Sequence, residues 1–549
     1  MNPLRFPTVL CFLSISSAVV GEPAPSTPLD DVISRAMRDE LDRSMRHLAL
    51  GDLAKPYFIQ FKAQDRTSTN IAAAYGGLLR STTRRDRTLS SRVRVGSYSL
   101  DNTNIGRSFG SAGRLPDDDD YTAIRHAIWR IVDADYKQAV EILTAKQAYL
   151  KDHTVEDRPD DFTTAERVIT VDPPLAWSFD QALWEARLQG LSARFRNHPR
   201  IQDAGATIVA GTVTDWIINS EGTQLRTNDT GVLLEFRAEL QADDGMELSD
   251  SRSYLVLSDD KLPPLARLEA DLDEMCAKLV ALASAPPLEQ YTGPVLLEAE
   301  AAGRAFDSLL SDRLCARPTP LGGGGEDKSF EKRIGLRILP RTFRVYDDPR
   351  EEYFEEVLLA GSYLHDDEGV LARRVDLVEK GILQTLVAGR SPTRKIKAST
   401  GHGRSSGLGD PLASVGCLYI EDTDGVSTSQ LKDELIQAAK EEGLDFALRI
   451  ETIETGGFEA LGDPIYAYRV NVADGSEELI RGLKFQNVAT RALKRVLAAG
   501  SERKVYNTLS RLPSSIIAPA VLFEELDLAK TQQEFERLPI LKSPETRSP

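Results

Sequence analysis

The chain reads as an α+β protein of two domains, an N-terminal antiparallel sheet with helices followed by a β-rich C-terminal domain. Three observations point there. Segments of helical period and segments of alternating period come in groups and do not alternate one for one, which separates α+β from α/β folds. A long amphipathic segment ends at Pro286-Pro287, a break between two differently patterned halves. At 549 residues the chain also exceeds what one hydrophobic core usually serves.

The first residues, MNPLRFPTVLCFLSISSAVVG, place one Arg ahead of an apolar stretch from Phe6 to Val20, with small residues leading to Gly21. This pattern resembles a secretory signal over residues 1–21, cleaved near Gly21, so an exported protein, periplasmic or extracellular, is expected. The stretch is shorter than the ~20 residues needed to cross a bilayer, and Cys11 follows Leu10 where a lipid anchor wants a small residue. No later segment is continuously apolar enough to span. Residues 22–28 (EPAPSTP) form a Pro-rich spacer with nothing to pack.

The N-terminal α+β domain is expected over 29–287. Val32, Ile33, Met37, Leu41, Met45 and Leu48 recur at helical spacing. Rough alternation then predicts strands over 57–63, 70–81 and 91–100. Helical spacing returns over 119–146, with Ile124, Ile128, Ile131, Ala139, Ile142 and Leu143 on one face, and again over 179–196. Residues 205–257 are strand-like, with a turn at Asn219-Ser220-Glu221-Gly222 and a further strand over 232–240. A helix follows over 264–285.

The C-terminal domain is expected over 290–549. It opens with a strand running into a helix over 293–314, and Gly322 to Gly325 form a flexible loop. Residues 375–388 read as a hairpin turning at Lys380-Gly381. A helix over 428–441, strands over 446–454 and 464–473, and an apolar strand within SSIIAPAVLFEEL (514–526) complete it.

Charge narrows the function. The net charge of -17, from 84 acidic against 67 basic residues, argues against nucleic acid as a main partner and against an anionic membrane surface. After signal cleavage Cys276, Cys315 and Cys417 remain, with no CxxC spacing. They are either three buried thiols or one disulfide and a spare. The Gly322–Gly325 run lacks the Lys-Ser/Thr of a phosphate-binding loop, and no Gly-x-Ser-x-Gly elbow is present.

Six histidines offer few constellations. His47, His126, His153, His198, His365 and His402 include no pair three to five residues apart, so no helix presents the paired imidazoles of a zinc peptidase. His47 and His126 fall in predicted helices as ordinary surface or core residues. His365 begins His-Asp-Asp-Glu, downstream of Asp347-Asp348. Clustered carboxylates beside an imidazole suit a cation, but neighbouring strand residues point to opposite faces, so the stretch reads as a charged turn. His402 lies in STGHGRSSG (399–407), where flanking glycines let backbone approach a ligand and Arg404 is suited to a carboxylate. His402 and Arg404 are the binding candidates.

Four phrases in fixed order carry a resemblance: GPVLLEAEAAGRAFDSLL (293–310), RIGLRILPRTFRVYDDPR (333–350), DDEGVLARRVDLVEKGIL (366–383) and STGHGR (399–404), with IINSEGTQLR (217–226) upstream. Together they resemble the TldD/PmbA metallopeptidases, often called modulators of DNA gyrase, and specifically an exported PmbA-like branch. The resemblance implies a two-domain TldD/PmbA-like fold and assembly as a homodimer or as a heterodimer with a TldD-like chain. It also implies unfolded or small peptides as ligands. In the TldD branch zinc is held by His-Glu-x-x-x-His on the helix opening the second domain and by a later Cys. The matching residues here are Ala299-Glu300-Ala301-Ala302-Gly303-Arg304. Glu300 keeps the catalytic position, whereas Ala299 and Arg304 replace both imidazoles, and no His lies between His198 and His365. Nor is there a Cys in GSERKVYN (500–507). Ala has no donor and Arg is a permanent cation. No cofactor is therefore expected, although zinc belongs to the family. The resemblance implies a non-catalytic or peptide-binding partner subunit in proteolysis, and the alternative is a metal-dependent peptidase rearranged around His365 and His402.

Overall fold

The computed structural model describes residues 30–106, 110–322, 329–406, 409–454, 461–509 and 512–531. The expected signal, the Pro-rich spacer and most of the Gly322–Gly325 loop lie outside the described residues.

Helix α1 (Val32–His47) begins at Asp31, whose carboxylate accepts the Ser34 N–H at 2.9 Å. Strands β1 (Pro56–Ala74) and β2 (Gly77–Val95) then form a hairpin of two 19-residue arms turned by Tyr75 and Gly76. The expectation of three shorter strands is corrected here. The polar run from Gln64 to Asn70 looks like a break, but its side chains pair across the sheet. Arg85 and Arg87 donate to Asp65 at 3.0 and 2.9 Å, and Thr69 and Thr83 share a hydrogen bond of 2.9 Å. Strand β3 (Ser111–Arg114), helix α2 (Tyr121–Asp152), strand β4 (Ile169–Val171) and helix α3 (Gln181–Ala193) follow. Strands β5 (Asp203–Asn219), β6 (Gln224–Gln241) and β7 (Glu247–Val256) precede helix α4 (Leu265–Ser284). The separate strand expected at 232–240 belongs to the longer β6, for the same reason: Thr214 and Asn228 pair at 2.8 Å across its polar part.

These strands form a seven-stranded sheet in the order β3-β2-β1-β5-β6, with β4 and β7 both on β6. Alternation along β1 assigns its faces. Ile59, Phe61 and Ala63 pack under α1 and α2, and Ile71 and Ala73 pack under α3 and α4. One face therefore carries two helix pairs at its two ends. The opposite parity, Gln60 and Lys62, meets the second half of the chain.

In that half β8 (Gln290–Leu297) runs directly into α5 (Ala299–Phe306), which continues as a π turn at Asp307–Ser311. Short strands come next: β9 (Cys315–Ala316), β10 (Phe343–Asp347), the β11 (Tyr353–Phe354) and β12 (Val357–Leu358) hairpin, β13 (Val375–Glu379), β14 (Ile382–Leu383), β15 (Val387–Ala388), β16 (Gly403–Arg404) and β17 (Leu412–Ala413). Strand β18 (Cys417–Asp422) leads to α6 (Thr428–Glu441), which opens with a capping box between Ser427 and Gln430. Strands β19 (Phe446–Ile453), β20 (Pro464–Asn471), β21 (Glu477–Ile480), β22 (Leu483–Phe485), β23 (Val496–Thr508) and β24 (Ser514–Lys530) finish the fold. An eleven-stranded sheet results, ordered β14-β13-β10-β18-β24-β8-β19-β20-β21, with β22 and β23 also on β24. The apolar β24 lies at its centre, as its run Ile516–Phe523 requires. The architecture is α+β with the β-rich part second. Cys276, Cys315 and Cys417 are buried, free thiols.

The hairpin at Lys380-Gly381 has φ of 50° and 72° at its two turn residues. A Cβ on Gly381 would lie 2.2 Å from the Leu339 carbonyl oxygen and 2.3 Å from that of Pro340. Left-handed strain and this clash add, so Gly381→Ala is expected to lower stability by roughly 2–4 kcal/mol. Urea denaturation reads the shift in midpoint, and an unchanged midpoint would contradict the turn.

Candidate functional site

Two places gather chemistry, a charged seam between the halves and an open groove beside it. At the seam the His-Asp-Asp-Glu stretch is a turn, but a buried one. Asp366 accepts the Glu368 and Val370 N–H groups at 3.0 and 2.9 Å, and its other oxygen accepts the Gly403 N–H at 2.8 Å. Asp367 accepts the Ser405 N–H at 2.7 Å and an ion-paired hydrogen bond from Lys62 of β1. Glu368 accepts the Arg390 N–H at 2.6 Å. A Cβ on Gly403 would lie 2.2 Å from Glu368 Oε2, so the glycine after His402 serves this close approach. The two phrases 366–369 and 399–404, distant in sequence, are thus one structure.

Burial raises the Asp367 carboxyl, but the neighbouring Lys62 and Arg404 outweigh it and hold it down at about 2. Asp366 goes the other way, raised by burial and by Glu368. His402 has no exposed side-chain surface: Nε2 lies 2.9 Å from Asp347 Oδ1, and Nδ1 lies 2.9 Å from the Thr400 carbonyl oxygen. Arg404 is buried with its guanidinium 4.0 Å above the Tyr363 ring and Nε 3.5 Å from Asp367. His365 Nε2 meets Thr170 at 3.2 Å, and burial pushes its imidazole down to about 4. His365, Asp215, Asp229, Asp366, Asp367 and Arg404 wall a cavity of about 30 Å³, room for roughly one water. Among the described residues no group of three or more His, Cys, Asp or Glu is arranged to hold a metal.

The groove is larger, about 1140 Å³, and both halves build it. Residues 249–256 of β7 form one wall. Glu300 and Arg304 of α5, with Lys504 to Asn507 of β23, line the groove from the other half of the chain. Strand β7 pairs only with β6, so its other edge carries no strand among the described residues. Its side chains alternate. Asp250 accepts from Tyr466 at 2.7 Å and Tyr254 donates to Asp271 at 2.6 Å, whereas Ser249, Ser251 and Ser253 stay exposed. On α5, Arg304 Nη2 lies 3.1 Å from Glu300 Oε1, and its guanidinium sits 4.9 Å from the Tyr506 ring centre. No His or Cys lines the groove among the described residues. Catalytic zinc takes three N, S or O donors and a water. Ala299 and Arg304 supply no donor of that set.

Residues 290–530 match the PmbA/TldA metallopeptidase C-terminal domain family. Over these residues the chain is similar to the TldD/PmbA proteins. Its fold is similar to that of a Thermotoga maritima protein described as a modulator of DNA gyrase, at a TM-score of 0.60 and 14% identity, covering 90% of this chain and all of the other. TldE from Thermococcus kodakarensis superposes at a TM-score of 0.56, again at 14% identity and 90% and 100% coverage. In sequence the chain is 32% identical over 108 residues to Metalloprotease MJ0996 of Methanocaldococcus jannaschii, covering 20% of this chain and 23% of that one. It is 28% identical over 169 residues to a metalloprotease of Archaeoglobus fulgidus, covering 30% and 35%. The chain thus spans well under half the length of these curated relatives in the matched regions.

Of the residues singled out from sequence, Glu300 lines the groove with Arg304, while His365, His402 and Arg404 belong to the seam and do not. Sequence reasoning covered β7 only within the strand-like stretch 205–257 and did not single out its serines, which at every second position mark one exposed strand face. It also missed Asp229, buried at 1% exposure with Oδ1 unpartnered. Burial first, then Asp215 and Asp172, push its carboxyl well above the usual range. An acid raised in this way costs stability above its ordinary value of about 4, because the unfolded chain gives up the proton more readily than the folded one, and the cost fades as pH falls to that value. Asp229→Asn is therefore expected to raise the melting temperature at neutral pH, with a gain that shrinks towards about pH 4. Melts across that range check it, and a gain that grows on acidification would refute it.

Proposed function

We propose that this chain is a non-catalytic, peptide-binding partner subunit in a proteolytic system. The observation that carries the reading is Arg304 beside Glu300 on the groove wall, with the buried Ala299 just before them on the helix. Without a metal at that place Glu300 has no activated water to deprotonate and nothing polarises a peptide carbonyl. What the groove retains is a means of holding chain. An open strand edge offers N–H and C=O groups to an extended peptide, and main-chain pairing gives affinity without demanding a sequence. The exposed serines of β7 leave room for varied side chains. Catalysis would then fall to a TldD-like chain bearing His-Glu-x-x-x-His, joined with this one as a heterodimer, and the metalloprotease names of its relatives support that setting.

Metal analysis and peptide binding test the core of the proposal together. The purified chain is expected to hold far less than one zinc per chain and to bind an extended peptide without cutting it. Methylating alternate backbone nitrogens of the peptide should weaken binding by roughly tenfold, since each lost main-chain hydrogen bond is worth about 1 kcal/mol and the methyl groups obstruct the edge. Stoichiometric zinc with chelator-sensitive cleavage would sink the reading.

We also infer export, from the apolar stretch ahead of Gly21. N-terminal sequencing of the protein from cell fractions should find a start near Glu22 outside the cytoplasm. Intact Met1 in the cytosol would overturn this.

A further inference from the structure

We propose that Arg304 is an anion anchor in the groove, taking a carboxylate of the bound peptide where the resemblance places a metal. This rests on the peptide-binding reading and specifies which end or side chain of the ligand the site selects. The guanidinium is already positioned. Its side chain is 20% exposed, with the flat group against Tyr506, and its flexibility is spent before any ligand arrives. One of its partners is loosely held. Glu300 is 48% exposed and stands one helical turn earlier, so this pair resembles a surface ion pair that a second carboxylate can replace at little cost.

The surroundings favour an anion as well. Lys504 lines the same wall and lies two residues before Tyr506 on β23, hence on the same strand face, and it is exposed. Lys278, the next cation in the groove, is committed to Glu451. Among the described residues that line the groove, Glu454 also feels Arg304: its carboxyl is raised by burial and by Asp463 while Arg304 pulls it down. It competes less than an ordinary glutamate would. A guanidinium presents two parallel N–H donors to a carboxylate, a stronger contact than it can make to a peptide carbonyl.

Two sources of carboxylate share this chemistry, the peptide C-terminus and an acidic side chain. Fluorescence anisotropy on the full chain would compare one labelled peptide of alternating Val and Ser in three forms: free acid, C-terminal amide, and amide with one internal Glu. The free acid or the Glu form should bind roughly tenfold or more tighter than the plain amide, and whichever does names the source. Arg304→Gln should abolish that gap. Glu300→Gln, a change at an exposed position that folding tolerates, should widen it by roughly two- to fivefold by removing the competitor. Equal affinity for all three forms, a gap that survives Arg304→Gln, or no widening with Glu300→Gln would overturn the anchor while leaving the peptide groove standing. No binding of any form would overturn the groove reading and the anchor with it.

Discussion

Lys62 stands midway along β1 with its ammonium buried, and a buried ion costs several kcal/mol unless opposite charge and hydrogen bonds surround it. Asp215 on the adjacent strand lies 3.6 Å away, but the direct partner, Asp367, comes from the other half of the chain. Asp367 is held by the Ser405 N–H and lies beside Arg404, and Arg404 rests on Tyr363. Gln60, two residues before Lys62 on the same face, reaches the Asp367 carbonyl oxygen at 2.8 Å. The two sheets can therefore meet in one way only, with a turn from the second inserted against the polar face of the first. A slip of one residue in β1 would aim Phe61 at this turn and Lys62 into the apolar core under α1 and α2.

The groove inherits its shape from that seam. Its walls are β7 from one half and α5 with β23 from the other, so the gap between them depends on how the halves are locked. Smaller bridges reinforce the arrangement: Tyr466 of β20 donates to Asp250 of β7, and Lys278 of α4 pairs with Glu451 of β19. A second seam contact lies deeper. Arg390 donates to Glu221 at 2.8 Å beside the β5–β6 turn, and its guanidinium sits 3.9 Å from the Phe162 ring centre. These contacts are polar, and polar groups paired across an interface fix orientation more tightly than apolar area does, because each unpaired alternative leaves a buried group unsatisfied.

Much of this was legible in the residues. The 428–441 helix, the Lys380-Gly381 turn and the strand-to-helix passage at 293–306 carry local signals, and each forms where its pattern predicts. Long β strands were harder. A 19-residue arm cannot be apolar throughout when it passes between two helix pairs, and its polar middle, Gln64 to Asn70, mimics a turn. The seam was illegible for a different reason. His-Asp-Asp-Glu looks solvated, because nothing local tells a buried carboxylate from an exposed one. Its partners Lys62 and Gly403 lie about 300 and 40 residues away, beyond the reach of periodicity.

On the proposed reading, Ala299 and Arg304 in place of two imidazoles remove the metal without removing positive charge from the groove wall. In the metal version that the family resemblance implies, the cation does two things: it attracts oxygen atoms of the peptide and it acidifies a bound water. A guanidinium can do only the first. It donates hydrogen bonds and carries a unit charge, but it has no empty orbital to bind water and cannot itself lose a proton at any pH a protein survives. Glu300 changes its role accordingly. Beside a metal it would serve as a base, whereas beside Arg304 it is a counter-ion, 3.1 Å away and half-exposed. On that reading the site keeps the part of the chemistry that binds and lacks the part that turns over. A subunit of the kind proposed, holding a peptide for another chain to cut, has use for the first and would be hindered by the second.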